Sequence, residues 1–232
     1  MARHVLITGA GRGVGRQTAR LFHAHGDRVS LIARRTADLD ALAIELGSRV
    51  ACQAVDITDP AAVSKALRAF STAHGPVDVL VNNAGVGAYK GFLEHSSGEI
   101  RRMIDTNFTG LVLLTHAVVE TMLPRRQGTL IHVASDLARR PLANMAVYAA
   151  TKHAVAGFSQ SLSRELRTHN IKSTLVNPGL IDTDFHGGGE GDMAGDGALS
   201  AREVADLILY VANRPERVLV DEVSLHKMGQ DF

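Results

Sequence analysis

Cysteine is nearly missing from this 232-residue chain: the single Cys52 excludes an internal disulfide. Its place in the apolar run Val50-Ala51-Cys52 reads as a buried structural thiol in a reducing compartment. Long hydrophobic runs are also missing, and none approaches the ~18 residues of a membrane span. No signal-peptide core follows Met1-Ala2-Arg3, so a cytoplasmic location and no membrane partner are expected. Neither charge is in excess. With 25 basic and 24 acidic side chains and a formal net charge of +1, no global field favours nucleic acid. The 11 histidines are scattered, without a His/Cys/Asp grouping at metal-ligand spacing, so no metal is expected. No composition break, repeat or low-complexity linker divides residues 1–232. The chain therefore reads as one domain with a sizeable core and a small-molecule partner.

What is present is an alternation of strands and helices. His4-Val5-Leu6-Ile7-Thr8 is an apolar run of strand length, followed by Gly9-Ala10-Gly11-Arg12-Gly13-Val14-Gly15 and a helical pattern through His25. That order suits a dinucleotide. Glycines let the backbone turn tightly and approach a pyrophosphate, whose charge is met by N–H groups at the helix start. Arg28 to Ala33 reads as a strand, Ala37 to Leu46 as a helix and Val50 to Ala54 as a strand. A helix from Pro60 to about His74 is opened by Asp59 as N-cap, and Val77 to Val81 is the fourth strand. Such alternation implies an α/β fold, a doubly wound parallel sheet of about seven strands with helices on both faces and ligands at the carboxyl ends of the strands. Asp56 and Asn82-Asn83-Ala84-Gly85 follow the third and fourth strands accordingly.

Ser96 and Glu99, at capping-box spacing, open a long helix whose apolar face is Ile104, Phe108, Leu111, Leu114, Val118 and Met122. Asn107 interrupts it, and a mediocre helix former there is expected to face solvent. Leu130 to Ala134 is the fifth strand and delivers Ser135; after a Pro141-containing loop comes the helix of Tyr148 and Lys152. Ile171 to Val176 is the sixth strand. Ser200 and Glu203 open a helix to about Asn213, and Val218 to Val223 is the last strand. Residues of about 185–199 are glycine-rich, acidic and poor in large apolar side chains, which predicts a mobile lid.

Tyr148 and Lys152 lie four apart on one helix face, so the ammonium is expected to favour the phenolate and lower the phenol's pKa from ~10. Such an acid suits carbonyl reduction. His132 reads as packing or a local hydrogen bond, and Asp136, Arg139, Arg140, Tyr89 and Lys90 as solvated loop residues beside the expected pocket.

Taken together, these motifs resemble the single-domain short-chain dehydrogenase/reductase family, in its NADP(H)-preferring branch and with a likeness to 3-oxoacyl-carrier-protein reductases. The resemblance covers nearly the whole chain and implies a Rossmann-like fold. Thr8-Gly9-Ala10-Gly11-Arg12-Gly13-Val14-Gly15 is similar to the family's cofactor turn, and Asn82-Asn83-Ala84-Gly85 to the motif beside the adenosine. Tyr148 and Lys152 match its YxxxK pair, with Ser135 thirteen residues before Tyr148. Asn107 takes the place of the family's catalytic Asn, against its solvent-facing reading. Pro178-Gly179 and Thr183 match the segment at the nicotinamide.

The resemblance thus implies Asn107, Ser135, Tyr148 and Lys152 as the catalytic set. It implies a cofactor site of Thr8, Gly9, Gly11, Arg12, Gly13, Val14, Gly15, Arg34, Arg35, Asp56, Ile57, Asn83, Ala84, Gly85, Tyr148, Lys152, Pro178, Gly179, Ile181 and Thr183. NADP(H) is the expected cofactor: an acid that would hold the ribose 2′-hydroxyl of NAD(H) is absent at Ala33, and Arg34, Arg35 and Arg12 suit a 2′-phosphate. The implied activity is an NADP(H)-dependent carbonyl reductase or alcohol dehydrogenase acting on a small carbonyl or alcohol, as a homodimer or homotetramer. The rivals are a non-redox epimerase or lyase on the same fold and a cofactor-binding regulator.

Overall fold

The computed structural model describes residues 2–183, 185 and 197–230. Its first half alternates strictly: β1 (His4–Thr8), α1 (Gly13–Ala24), β2 (Arg28–Ala33), α2 (Thr36–Leu46), β3 (Val50–Ala54), α3 (Pro60–His74) and β4 (Val79–Asn82). The second half runs α4 (Ser97–Ile104), a π turn (Asp105–Thr109), α5 (Gly110–Met122), β5 (Gly128–Val133), α6 (Ala146–Leu166) and β6 (Ile171–Pro178). A two-residue strand β7 (Ile181–Asp182), its partner β8 (Leu199–Ser200), α7 (Ala201–Ala212) and β9 (Glu222–Leu225) follow.

Seven parallel strands pair in the order β3-β2-β1-β4-β5-β6-β9, with β7 and β8 as a separate parallel pair. The order reverses direction at β1 and β4, which opens a crevice at their carboxyl ends. Alternation along the strands sorts the core. Val5 and Ile7 of β1 pack with Phe22 of α1 and Val204 and Ile208 of α7 on one face. Leu6, Leu80 and Leu130 meet Phe70 of α3 and Leu114, Val118 and Met122 of α5 on the other. Each fully buried leucine of this kind contributes roughly 2 kcal/mol. The expected caps form: Asp59 accepts from the Ala61 and Ala62 N–H groups, and Ser96–Glu99 and Ser200–Glu203 are reciprocal capping boxes.

Several boundaries depart from the sequence reading, each for a polar reason. The fourth strand begins at Val79 rather than Val77, because the Asp78 carboxylate is engaged by the His4 N–H at 2.9 Å and by Arg125 at 2.8 Å. The last strand is Glu222–Leu225 rather than 218–223. Val218 N–H turns back onto Pro215 O at 2.8 Å, and pairing starts where the Glu222 carboxylate collects Arg139, Gln160 and Asn177. The long helix is broken by the π turn. Cys52 is half-buried rather than buried, its S–H aimed at Leu39 O 3.8 Å away, and burial pushes the thiol up to about 11. Of the expected lid, residues 186–196 lie outside the described residues; its C-terminal end is strand β8, where Leu199 is buried.

At the opposite end of the sheet from the crevice, three polar side chains share a buried network. His4 Nδ1 donates to Gly75 O at 2.8 Å, which leaves Nε2 to accept from the Ser30 hydroxyl at 2.8 Å. The Ser30 oxygen accepts in turn from His74 Nδ1 at 3.2 Å. Accepting at Nε2 requires a neutral His4 ring. Burial lowers His4 to about 4 and lowers His74 as well; His132, fully buried between Asn82 and the Phe158 ring edge, is also pushed down to about 4. A depressed folded-state pKa means that the unfolded chain binds protons first. Stability is therefore whole above the unfolded histidine pKa of ~6.5 and is lost as pH falls toward about 4, by an amount on the order of 3 kcal/mol per ring at most. Urea unfolding across that interval should show the decline, and His132→Leu should flatten its share of it; a pH-independent unfolding free energy would exclude these histidines as the cause.

Candidate active site

The crevice holds a cavity of about 850 Å³ reaching from the glycine turn to Tyr148. At one end the backbone turns where Gly9 and Gly13 have φ of 66° and 50°, a region that other residues rarely enter. A Cβ on Gly15 would lie 2.2 Å from the Gly9 carbonyl oxygen, so α1 packs directly under the turn. The start of α1 at Arg12 has no side-chain cap and no acid in its first turn. Its N–H groups are thus left for an anion, in a cradle that side chains would fill, and a dinucleotide pyrophosphate fits.

Thr8 holds this turn against the end of β4. Its hydroxyl accepts from the Asn83 and Ala84 N–H groups, both at 3.0 Å, and the Asn83 amide donates back to Thr8 O at 3.0 Å. Ala33, Arg34 and Arg35 end β2 on the same side. Arg35 pairs with Asp38 at 2.5 Å, while the Arg34 charge acts on Asp56. Burial opposes ionisation of Asp56, but the Thr58 N–H and hydroxyl together with Arg34 outweigh it and lower its pKa.

At the other end, β5 delivers Ser135 and α6 presents Tyr148 and Lys152 into the same cavity. All three are buried. Lys152 Nζ donates to Val133 O at 3.0 Å and stands 5.6 Å from the centre of the Tyr148 ring. Asn107 lies behind them, in the π turn. Its amide brackets Val86, accepting from the N–H and donating to the carbonyl at 2.8 Å each, and donates to Thr151 Oγ at 3.1 Å. Thr151 Oγ donates to Tyr148 O at 2.7 Å, so one side chain ties the loop after β4 to the first turns of α6. Asn107 is 1 % exposed, which corrects its solvent-facing reading: the π turn rotates it inward to satisfy a loop that has no ladder partner.

The electrostatics differ from the simple ion-tuned acid. Burial pushes the Tyr148 phenol up to about 12, with the Ser135 hydroxyl opposing, and pushes Lys152 down to about 8. Both shifts disfavour charge. The expected depression of the phenol by the ammonium is not seen: desolvation of the buried ring dominates, and the ammonium is directed at Val133 O.

A family model described as short chain dehydrogenase matches residues 3–191. The chain belongs to the short-chain dehydrogenase family. It is 33% identical to serine 3-dehydrogenase of Agrobacterium fabrum over 241 residues, covering 100% of this chain and 96% of the relative. It is also 33% identical to the NADP-dependent 3-hydroxy acid dehydrogenase YdfG of Salmonella typhi, covering 98% of this chain and 96% of that one. Among solved structures, the closed form of serine dehydrogenase complexed with NADP+ superposes with a TM-score of 0.93 at 30% identity, covering 99% of this chain and 96% of its own.

In this dehydrogenase the cavity is lined by the sequence-predicted Gly9, Gly11, Arg12, Gly13, Val14, Arg34, Arg35, Asp56, Ile57, Asn83, Ala84 and Gly85. Ser135, Tyr148, Lys152, Pro178, Gly179, Ile181 and Thr183 line it as well. Thr8, Gly15 and Asn107 do not; they brace the lining from behind. Sequence reading named Phe185 only as the start of the expected lid, whereas its ring meets Tyr148 edge-on with centres 5.6 Å apart, and it missed Gln230, whose amide accepts from Leu180 N–H at 3.3 Å. It also missed Met145, Leu142, Leu137 and Asp38. The Pro141-containing loop between Ser135 and Tyr148 was a signal for the leucines and Met145; Gln230 carried none. Asn107→Ala should strip both polar groups of Val86 and cost about 2–3 kcal/mol, while Gly15→Ala should lose stability by forcing the turn off α1. Thermal unfolding of each variant checks this, and an unshifted Asn107→Ala would mean that water replaces the amide.

Proposed function

We propose that this short-chain dehydrogenase is an NADP(H)-dependent oxidoreductase interconverting a carbonyl compound and its alcohol. The observation that carries the reading is the convergence of Ser135, Tyr148 and Lys152 on one end of a cavity whose other end is an uncapped helix start with Arg12, Arg34 and Arg35. The glycine turn and α1 hold the pyrophosphate, and Arg34 and Arg12 grip a 2′-phosphate that no acid at Ala33 repels. Arg35 contributes less, being held by Asp38. The nicotinamide supplies or accepts the hydride.

This chain's residues handle the proton. A phenol pushed up to about 12 is protonated at neutral pH and can donate to the substrate oxygen, which Ser135 holds by a hydrogen bond. Lys152, at about 8, is poised to carry a positive charge or pass a proton, and it holds the nicotinamide ribose. Asn107 keeps the site's loop and helix in register and steadies a water between Lys152 and solvent. The exposed apolar Leu93, Phe92, Leu113 and Ile104 suit burial in a homodimer or homotetramer. The enzyme works as a carbonyl reductase in the cytoplasm. The unaltered glycine turn and Lys152 disfavour an epimerase or lyase, and the intact Ser135, Tyr148 and Lys152 set disfavours a regulator.

Tyr148→Phe keeps the ring and removes the proton, so turnover should fall about 10²–10⁴-fold while NADPH affinity changes little. A loss below tenfold in single-turnover experiments would remove Tyr148 as the acid. Because the phenol's pKa is raised, alcohol oxidation, which needs the base form, should accelerate as pH climbs from about 7 to 9, while aldehyde reduction should not. Arg34→Ala should erode the preference for NADPH over NADH, chiefly through KM, and equal efficiency with both cofactors in the parent would refute the cofactor assignment.

A further inference from the structure

The two ends of the cavity differ sharply in charge. Arginines line the glycine-turn end, at Arg12, Arg34 and Arg35. Around Tyr148 the side chains are apolar: Val86, Leu137, Met145 and Phe185 cluster against it, and Leu142 and Leu180 extend the wall. Among the described lining residues the only cation at this end is Lys152, buried and directed at Val133 O. The charged group beside Ser135 is an acid, Asp136.

Resting on the reductase reading above, we infer that this chain takes an uncharged, largely apolar aldehyde or ketone and discriminates against substrates bearing a carboxylate. The cations that stand nearby are already committed. Lys90 is held by Glu99 at 2.8 Å, Arg139 by Glu222 at 2.6 Å, and Lys227 by Ala198 O at 3.4 Å. His226 lies 2.5 Å from the Asp136 carboxylate, and Arg140, outside the lining, also acts on it. Gln230 donates to the same carboxylate at 3.3 Å, which fixes Asp136 in the wall.

A carboxylate entering this end would surrender its water without gaining a cation and would face Asp136. An apolar carbonyl compound loses nothing and buries its body against the Met145–Phe185 cluster. Specificity of this kind comes from repulsion as much as from fit. Serine and 3-hydroxy acids, in the names of the two relatives, both carry a carboxylate, so the inference separates this chain from them.

The test is a matched pair: NADPH oxidation with 4-formylbenzoate and with its methyl ester, alongside unsubstituted benzaldehyde. The ester should show a kcat/KM at least about tenfold higher, mostly through KM. Asp136→Asn should narrow the ratio. So should Leu142→Arg, which places a cation at a side chain that is 55% exposed and tolerant of change. An acid used as well as its ester by the parent enzyme, or a ratio that neither variant moves, overturns the inference and leaves the reductase reading standing. No oxidation of NADPH with any of the three aldehydes overturns both.

Discussion

The contact on which the site depends is the bracket between Thr8 and Asn83. Two strands adjacent in the sheet but far apart in sequence must end at the same level, because the glycine turn leaves from one and the loop toward Asn107 leaves from the other. The Thr8 hydroxyl accepts two backbone N–H groups from the second strand's loop, and the Asn83 amide returns the bond to Thr8 O. These donors and acceptors lie where the ladder has ended, so each would otherwise be a buried polar group without a partner. Satisfying them from side chains spreads the crevice open while fixing its two lips.

The same solution recurs one level further in. Val86 has no neighbouring strand, and Asn107 supplies both a donor and an acceptor from a helix. A regular α-helix does not turn that amide inward, and the π turn does so at the expense of helical regularity. Thr151 then carries the constraint into α6, below Tyr148. The Tyr148 backbone is held by a hydrogen bond from Thr151, which Asn107 holds in turn, and neither residue lines the cavity.

Burial at the Tyr148 end sets the protonation of both side chains. Tyr148 and Lys152 are both driven toward their neutral forms, which brings the lysine near neutrality and takes the phenol away from it. At neutral pH the phenol therefore keeps its proton. The apolar wall of Val86, Leu137, Met145 and Phe185 that buries the phenol also lines this end of the cavity. Arg12, Arg34 and Arg35 at the far end of the cavity stay exposed.

By itself the sequence determined the alternation of strands and helices, the glycine turn, the caps at Asp59, Ser96 and Ser200, and the side-chain set Ser135, Tyr148 and Lys152, because each rests on local spacing or on a resemblance carried by contiguous motifs. The missing acid at Ala33 was legible for the same reason. Tertiary structure decided what depends on partners distant in the chain. Asn107 read as solvent-facing until Val86 and Thr151 were placed beside it; β9 shifted because Glu222 answers to Arg139 and Asn177; and the phenol's pKa rose because residues from three elements bury it. Gln230 joined the cavity wall through the same long-range packing, for which no local pattern in the chain encodes a signal, and Asp136, read as solvated beside the pocket, proved to be a buried part of its wall.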